Sequence, residues 1–352
     1  MTILVTLLAI AISVYFMSLL TEGFFIESLD ELSNRLRLPN DVAGATLMAI
    51  GSSAPELSIA MIALIIPGDH ADVGIGAIVG SALFNVLVIT GAAAIVRPLK
   101  VTLPIITRDA IVYTLSIGLL LWAFWDGVIT HWEAGLLLLC YALYIGMLYV
   151  WSRRVSIPTA VSTFEDKDRH DSSHHSSPLG MFSWQVNRIL RTLMGDPRRS
   201  YLRTFIISIA LIALLSWVLV ESGIAFAEAV NIPPLVVALT IIAGGTSAPD
   251  MISSIVVARK NRGNMAVSNA LGSNIFDILV GLGLPWIVIM IAGKSHIGID
   301  TSGLMLSTLL LVGSVTLLYT FMLTNLTLSR REGVILVLLW ILYVVWVFVN
   351  PG

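Results

Sequence analysis

Three acidic residues, Glu56, Asp250 and Asp277, stand in stretches otherwise made of apolar and small side chains, and each has a hydroxyl four positions earlier: Ser52, Thr246 and Ser273. Ser81 and Asn85 make a fourth pair of the same spacing, with an amide in place of the acid. Residues four apart share one face of a helix, so four helices would each present a hydroxyl beside a carboxylate or amide. These donors are oxygens, the ligands of hard cations such as Ca²⁺ and Na⁺; no His or Cys accompanies them, which argues against zinc or copper. Three ionised carboxylates would be neutralised by one Ca²⁺ with one monovalent ion, or by three Na⁺. Close carboxylates disfavour one another's ionisation, and with Asp277 protonated the other two balance a single Ca²⁺. Competition of ions for one such site, opened to either side in turn, gives exchange with no chemical step.

The residues that must position these groups form an internal repeat. Gly51-Ser52-Ser53-Ala54-Pro55-Glu56 matches Gly245-Thr246-Ser247-Ala248-Pro249-Asp250 at an offset of 194, and Gly80-Ser81-Ala82-Leu83-Phe84-Asn85 matches Gly272-Ser273-Asn274-Ile275-Phe276-Asp277 at an offset of 192. Pro39 answers to Pro233. A proline inside a helix donates no hydrogen bond and displaces the carbonyl four residues earlier, here those of Gly51 and Gly245.

Of 352 residues, 57% are apolar and 12% charged, with a net charge of −2. This is the make-up of a polytopic membrane protein and carries no basic footprint for nucleic acid. The single cysteine, Cys140, excludes a disulfide framework and a multi-thiolate metal centre. Ten stretches are long and apolar enough to span a bilayer: 2–20, 42–66, 73–96, 109–125, 134–152, 204–227, 233–258, 265–293, 302–323 and 333–350. The expected fold is all-α and polytopic, ten transmembrane helices arranged as two inverted five-helix repeats with helices 2 and 7 broken. Residues 1–152 form the first repeat, 153–202 a cytoplasmic linker and 203–352 the second repeat. Five helices per half turn the second half upside down, and paired broken helices in such halves point to a midplane transport site. A freed carbonyl in hydrocarbon is tolerated only where it lines a cavity.

Nineteen of the 20 basic residues fall in the loops after spans 1, 3, 5, 7 and 9, with Lys294 the exception, so both termini are expected outside. The first span has no basic n-region and reads as a retained helix rather than a signal peptide. No Lys or Arg lies inside a predicted span to balance the acids, each of which costs roughly 2.5–3.5 kcal/mol on insertion scales. Within the linker, Glu165 to Ser177 is polar and reads as flexible, with His170, His174 and His175 a solvated cluster. Phe182, Val186, Ile189, Leu190 and Leu193 then recur at helical spacing among arginines, as in a short amphipathic helix on the inner leaflet or a packed connector.

At these motifs the sequence resembles the cation/calcium antiporter superfamily, most closely the potassium-dependent sodium/calcium exchangers. The likeness is strongest over 40–90 and 231–286. Gly44-Ala45-Thr46, the Gly51 to Glu56 motif, Val73-Gly74-Ile75-Gly76 and the Gly80 to Asn85 motif carry the first repeat. Gly244 to Asp250, Met265 to Asn269 and Gly272 to Asp277 carry the second. The resemblance implies Glu56 and Asp250 as central Ca²⁺ ligands, with Ser52, Thr246 and backbone oxygens near Ala49 and Ala243. It implies Ser53, Ser81, Asn85, Ser247, Ser273 and Asp277 around flanking Na⁺ sites, and an acid at Asp277 is associated with K⁺ in this branch. Asn264 departs from the branch, which often has aspartate there, and the short linker leaves no room for calcium-sensing domains. The expected activity is Na⁺/Ca²⁺ antiport, with K⁺ as a candidate co-transported ion. Expected partners are these cations and the lipid bilayer, with no cofactor, nucleic acid or obligate protein partner.

The alternatives are H⁺/Ca²⁺ exchange, an intramembrane aspartyl protease using Asp250 and Asp277, and a channel. Relatives that exchange H⁺ usually carry a different glutamate motif, and the hydroxyls and amide beside the acids suit a dehydrated alkali ion better than a proton. The protease reading lacks a G-x-G-D signature and leaves Glu56 and Asn85 without a role. Broken helices in paired halves suit alternating access better than an open pore.

Overall fold

A computed structural model describes residues 2–36, 49–68, 70–154, 178–197, 199–259, 261, 263–299 and 301–350. The chain is a multi-pass helical membrane protein. Among the described residues, eight helices are long and apolar enough to cross a bilayer, and a ninth candidate is a pair bent by 44° between Pro234–Thr246 and Ala248–Arg259. These match nine of the ten expected spans. The second expected span is described only from Ala49, so its first residues, Pro39 and the Gly44-Ala45-Thr46 motif lie outside the described residues, as do 155–177 with their three histidines.

The first half runs α1 (Thr2–Leu20), a π-helical turn (Thr21–Phe25), α2 (Ile26–Leu36), α3 (Ala49–Ser52), α4 (Ala54–Ile65), α5 (Ala71–Phe84), a π turn (Asn85–Ile89), α6 (Thr90–Val96), α7 (Leu103–Ala123) and α8 (His131–Arg154). A short helix, α9 (Pro178–Met194), then precedes α10 (Tyr201–Val230). The second half continues with α11 (Pro234–Val237), a π turn (Ala238–Ile242), α12 (Ala243–Thr246), α13 (Ala248–Arg259), α14 (Gly263–Phe276), a π turn (Asp277–Leu282), α15 (Gly283–Ile291), α16 (Thr301–Asn325) and α17 (Arg330–Val349). α9 falls where the spacing of Phe182 to Leu193 places a helix. It is tied to α10 by Arg203 Nη2 donating to the Leu193 carbonyl (2.7 Å) and Thr204 Oγ1 to that of Met194 (3.1 Å).

Two expected boundaries shift. The first helix does not stop at residue 20, where hydropathy falls, but continues through its π turn to Leu36, which carries Glu22 into the spanning segment. The fourth span starts at Ile106, within a helix that begins at Leu103, so Arg108 lies inside it, its Nε 2.7 Å from the buried Asp109 carboxylate.

Apolar faces divide the helices into an inner and an outer set. The Ala71–Val96 span is wholly enclosed and Gly263–Ile291 mostly so, whereas Thr2–Leu32 and Arg330–Val349 expose most of their length. In water the leucines and valines of such outer helices would be a liability; facing lipid they need no cover. Trp125 and Trp132, both largely exposed beside a loop, suit the membrane–water boundary.

Four two-residue strands join loops of opposite halves. β1 (Leu99–Lys100) pairs antiparallel with β4 (Thr327–Leu328), and β2 (Val128–Ile129) with β3 (Ile297–Gly298). Arg97 Nη1 also donates to the Arg259 carbonyl (2.9 Å), and the Thr102 amide to Asn264 Oδ1 (2.7 Å). Loops after the third, seventh and ninth spans thus meet on one face, and those after the fourth and eighth on the other, which is the parity that the ten-span reading requires.

Glycine sets how closely the inner helices approach. A Cβ on Gly80 would lie 2.3 Å from the Leu239 carbonyl oxygen, so α5 rests backbone to backbone on the π turn Ala238–Ile242. Gly91 on α6 and Gly333 on α17 similarly face each other's carbonyls. At Gly272, the repeat counterpart of Gly80, nothing described lies within 4 Å of an added Cβ. Gly80→Ala should lower the thermal midpoint of purified protein by an amount equivalent to at least the ~1–3 kcal/mol of an overpacked core, while Gly272→Ala leaves it near wild type.

Candidate functional site

The two broken spans are near copies. In each, a single residue interrupts the helix and a 12-residue helix follows; the preceding helix is described from Ala49 in the first span and runs Ala243–Thr246 in the second. The break falls at Ser53 (φ −96°, ψ 9°) and at Ser247 (φ −84°, ψ −5°). Pro55 and Pro249 sit in the first turns of α4 and α13, where a missing N–H costs no helical bond. The same turns carry Glu56 and Asp250, so each carboxylate stands at the partially positive end of a half-helix.

Helix α5 brings the first half against the second. Ser81 Oγ lies 2.8 Å from Ser247 Oγ, and the hydroxyls of Ser81 and Thr246 lie against the Glu56 carboxyl. The Ser53 hydroxyl lies against Asp277. Glu56 and Asp277 are only 4% and 1% exposed. Asp250 is half-buried and lines one cavity together with Ser52, Pro55, Thr246 and Pro249 of the two breaks and with Thr21 and Glu22, which follow α1. None of the three site acids has a lysine or arginine partner among the described residues.

Two of the π turns begin at Asn85 and Asp277, the matched positions of the second repeat motif. A π turn inserts a residue and re-aims side chains, and such turns recur at functional sites. Asn85 is held by a network absent from the sequence reading. Asn274 Nδ2 donates to the Ala82 carbonyl (3.2 Å) and to the Tyr113 hydroxyl (2.9 Å). A carbonyl can only accept, so the amide of Asn274 has one orientation, and its Oδ1 must accept from Asn85 Nδ2 (2.8 Å). Asn85 Oδ1 is thereby turned away with no donor.

Among the described residues, Glu56 Oε2, Asn85 Oδ1 and Asp277 Oδ1 are buried oxygens that accept no hydrogen bond. Leaving a buried polar atom unmatched costs about 1–3 kcal/mol, more for a charged group. Oxygen acceptors of this kind fit hard cations such as Ca²⁺ and Na⁺. No group of three His, Cys, Asp or Glu converges on one point among the described residues. Coordination would therefore have to draw on hydroxyls, amides and carbonyls beside one or two acids.

Not every expected ligand faces the others. The Ala49 carbonyl accepts from the Ser53 amide (3.0 Å) and from Ser52 Oγ (3.3 Å), and that of Ala243 from the Ser247 amide (3.1 Å) and Thr246 Oγ1 (3.2 Å). Both are occupied within their own breaks in this conformation. Ser273 Oγ turns back onto the Asn269 and Ala270 carbonyls of α14 (3.0 and 3.3 Å).

Comparison with known proteins follows the same lines. The family described as sodium/calcium exchanger protein matches residues 5–150 and 200–349. The chain is 30% identical to sodium/potassium/calcium exchanger 5 of Homo sapiens over 91% of its own length and 78% of the relative's. It is 26% identical to the probable sodium/potassium/calcium exchanger CG1090 of Drosophila melanogaster over 95% and 77%. Among solved structures, the H⁺/Ca²⁺ exchanger CAX superposes with a TM-score of 0.69 at 18% identity, covering 99% of this chain and 82% of that one. The sodium-calcium exchanger NCX_Mj, soaked with Na⁺ and Sr²⁺, gives 0.57 at 23% identity, covering 98% of each.

Asn274→Ala should release the Asn85 amide. The ion-free thermal midpoint should drop by the equivalent of ~1–3 kcal/mol, because the buried Asn85 amide and Tyr113 hydroxyl lose a partner, and the rise produced by saturating Na⁺ should shrink by a further ~1 kcal/mol, the worth of one hydrogen bond.

Proposed function

The chain belongs to the sodium/calcium exchanger protein family, and from that premise we propose that it exchanges Na⁺ for Ca²⁺ as a secondary antiporter, by alternating access to the paired helix breaks. It is a transporter and not an enzyme. The observation that carries this reading is the set of buried oxygens on Glu56, Asn85 and Asp277 that, among the described residues, no donor meets and no basic side chain pairs. Protons would satisfy the acids, but Asn85 Oδ1 and the surrounding hydroxyls suit a bare alkali ion. The likeness to the H⁺/Ca²⁺ exchanger, at 18% identity, concerns the fold alone.

In this mechanism Glu56 and Asp250 hold Ca²⁺ between the two half-helix N-termini, with Ser52 and Thr246 beside them. Ser53, Ser81, Asn85, Ser247, Ser273 and Asp277 supply the flanking Na⁺ positions. Filling these with Na⁺ neutralises the same acids, so the two cargoes exclude each other. The carbonyls of Ala49 and Ala243 join the ligand set once Ser52 and Thr246 turn their hydroxyls from them to the ion. Residues 1–152 and 203–352 act as the two inverted halves joined by 153–202. The distribution of basic residues among the loops supports a cytoplasmic linker with both termini outside.

The names of the relatives include potassium, and K⁺ co-transport at Asp277 is the finer part of the proposal. In proteoliposomes, an outward Na⁺ gradient should drive Ca²⁺ uptake in the wild type and not in Glu56→Gln. Uptake that survives unchanged in the variant, or that follows a pH gradient in Na⁺-free buffer, overturns the assignment. K⁺ should stimulate uptake by the wild type and have no effect on Asp277→Asn; absence of a K⁺ effect on the wild type removes K⁺ from the cycle.

A further inference from the structure

The cavity beside Asp250 has a second polar wall. It is built by the end of α1 and the π turn after it, with Ser18, Thr21 and Glu22 facing Ser52, Thr246 and Asp250. The segment from Val14 to Ile26, which contains this turn, packs against both broken spans. A Cβ added to Gly51 would meet Ile26 Cγ1 at 2.9 Å, and one added to the matching Gly245 would meet Val14 Cγ2 at 2.8 Å. Val14 and Ile26 thus bracket the polar turn and seat it against the two repeats at once.

Thr21 is the informative residue. A threonine in a spanning helix ordinarily donates to a carbonyl three or four residues back. Each of the other six buried threonines, Thr6, Thr90, Thr204, Thr240, Thr246 and Thr308, donates to a backbone carbonyl. Thr21 is 5% exposed, and its Oγ1 has no hydrogen-bond partner among the described residues. Thr21 opens the π turn and lines the cavity. Glu22 faces Asp250 across the same space, close enough for the two charges to interact. Two carboxylates lining one small volume offer anionic oxygens from two sides to a divalent cation.

We propose that Glu22, Thr21 and Ser18 form, with Asp250 across the cavity, a staging site that takes up Ca²⁺ before it passes to the central Glu56 and Asp250 pair. Two carboxylates match a divalent charge, and two hydroxyls with retained water complete an oxygen shell of the kind Ca²⁺ accepts. Asp250 belongs to both shells, so the ion moves inward by exchanging Glu22 for Glu56 and never leaves Asp250. This inference rests on the antiport reading and adds a residue set that the four repeat pairs do not contain.

The test is the Ca²⁺ concentration dependence of Na⁺-driven uptake in proteoliposomes, read for wild type, Glu22→Gln, Glu22→Asp and Thr21→Val. Glu22→Gln should raise half-saturating Ca²⁺ about tenfold, about 1.4 kcal/mol, with a maximal rate within about twofold of wild type. Glu22→Asp should restore most of the affinity, and Thr21→Val should raise half-saturation by about threefold. Should Glu22→Gln elute as aggregate in size-exclusion chromatography, Thr21→Val carries the test. A half-saturating Ca²⁺ unchanged in Glu22→Gln and Thr21→Val overturns the staging site. A loss of maximal rate alone, with half-saturation unchanged, also overturns it and marks the turn as structural. If the wild type fails to exchange, the antiport reading falls; if the wild type exchanges, Glu56→Gln is silent and Glu22→Gln matches wild type, the staging site alone falls.

Discussion

A bilayer offers the backbone no water, so a spanning chain must satisfy its own amides and carbonyls or break only where something polar meets the break. Much of this architecture follows from that constraint. The chain breaks at Ser53 and at Ser247, and each break is met by groups from the other half: Ser247 by Ser81, Ser53 by the Asp277 that opens the π turn after α14. The inner helices that deliver these groups are enclosed, and glycines at 80, 91 and 333 let them lie close enough to do so. Outer helices need only be apolar. The central region is therefore dense and specific in its side chains, while the periphery tolerates any leucine, valine or isoleucine.

The parts legible in the sequence are those that depend on neighbours in the chain. Hydropathy over windows of ~20 residues finds the spans. The offsets of 194 and 192 expose the repeat. The i,i+4 spacing of Ser52 with Glu56 or Thr246 with Asp250 places each pair on one helix face. Even the short helix Pro178–Met194 is readable from the spacing of Phe182 to Leu193.

What escaped is set by partners far away. The π turns at Thr21, Asn85 and Asp277 change the register by one residue without altering composition. Glu22 fell beyond a span drawn to residue 20, because an acid and a glycine lower local hydropathy although the helix continues. Asn274 sits within a motif that was read for its neighbours Ser273 and Asp277. Its contribution depends on Tyr113 and Ala82 in the other half, and its own repeat counterpart is Ala82, which has no side chain to suggest a network. Ser273 shows the converse: the spacing is right, but the hydroxyl is engaged with its own helix.

Acids at the centre without a basic partner also bear on kinetics. Empty, the site would have to desolvate uncompensated negative charge each time it closed, at an effective cost of several kcal/mol per ion; loaded with either cargo it closes nearly neutral. The barrier therefore stands selectively against the return of an unloaded carrier. Slippage, in which one ion runs down its gradient while the other stays behind, is slow for the same electrostatic reason that binding is strong. A lysine placed among these acids would relieve the repulsion and open that futile route, turning a coupled machine into a leak.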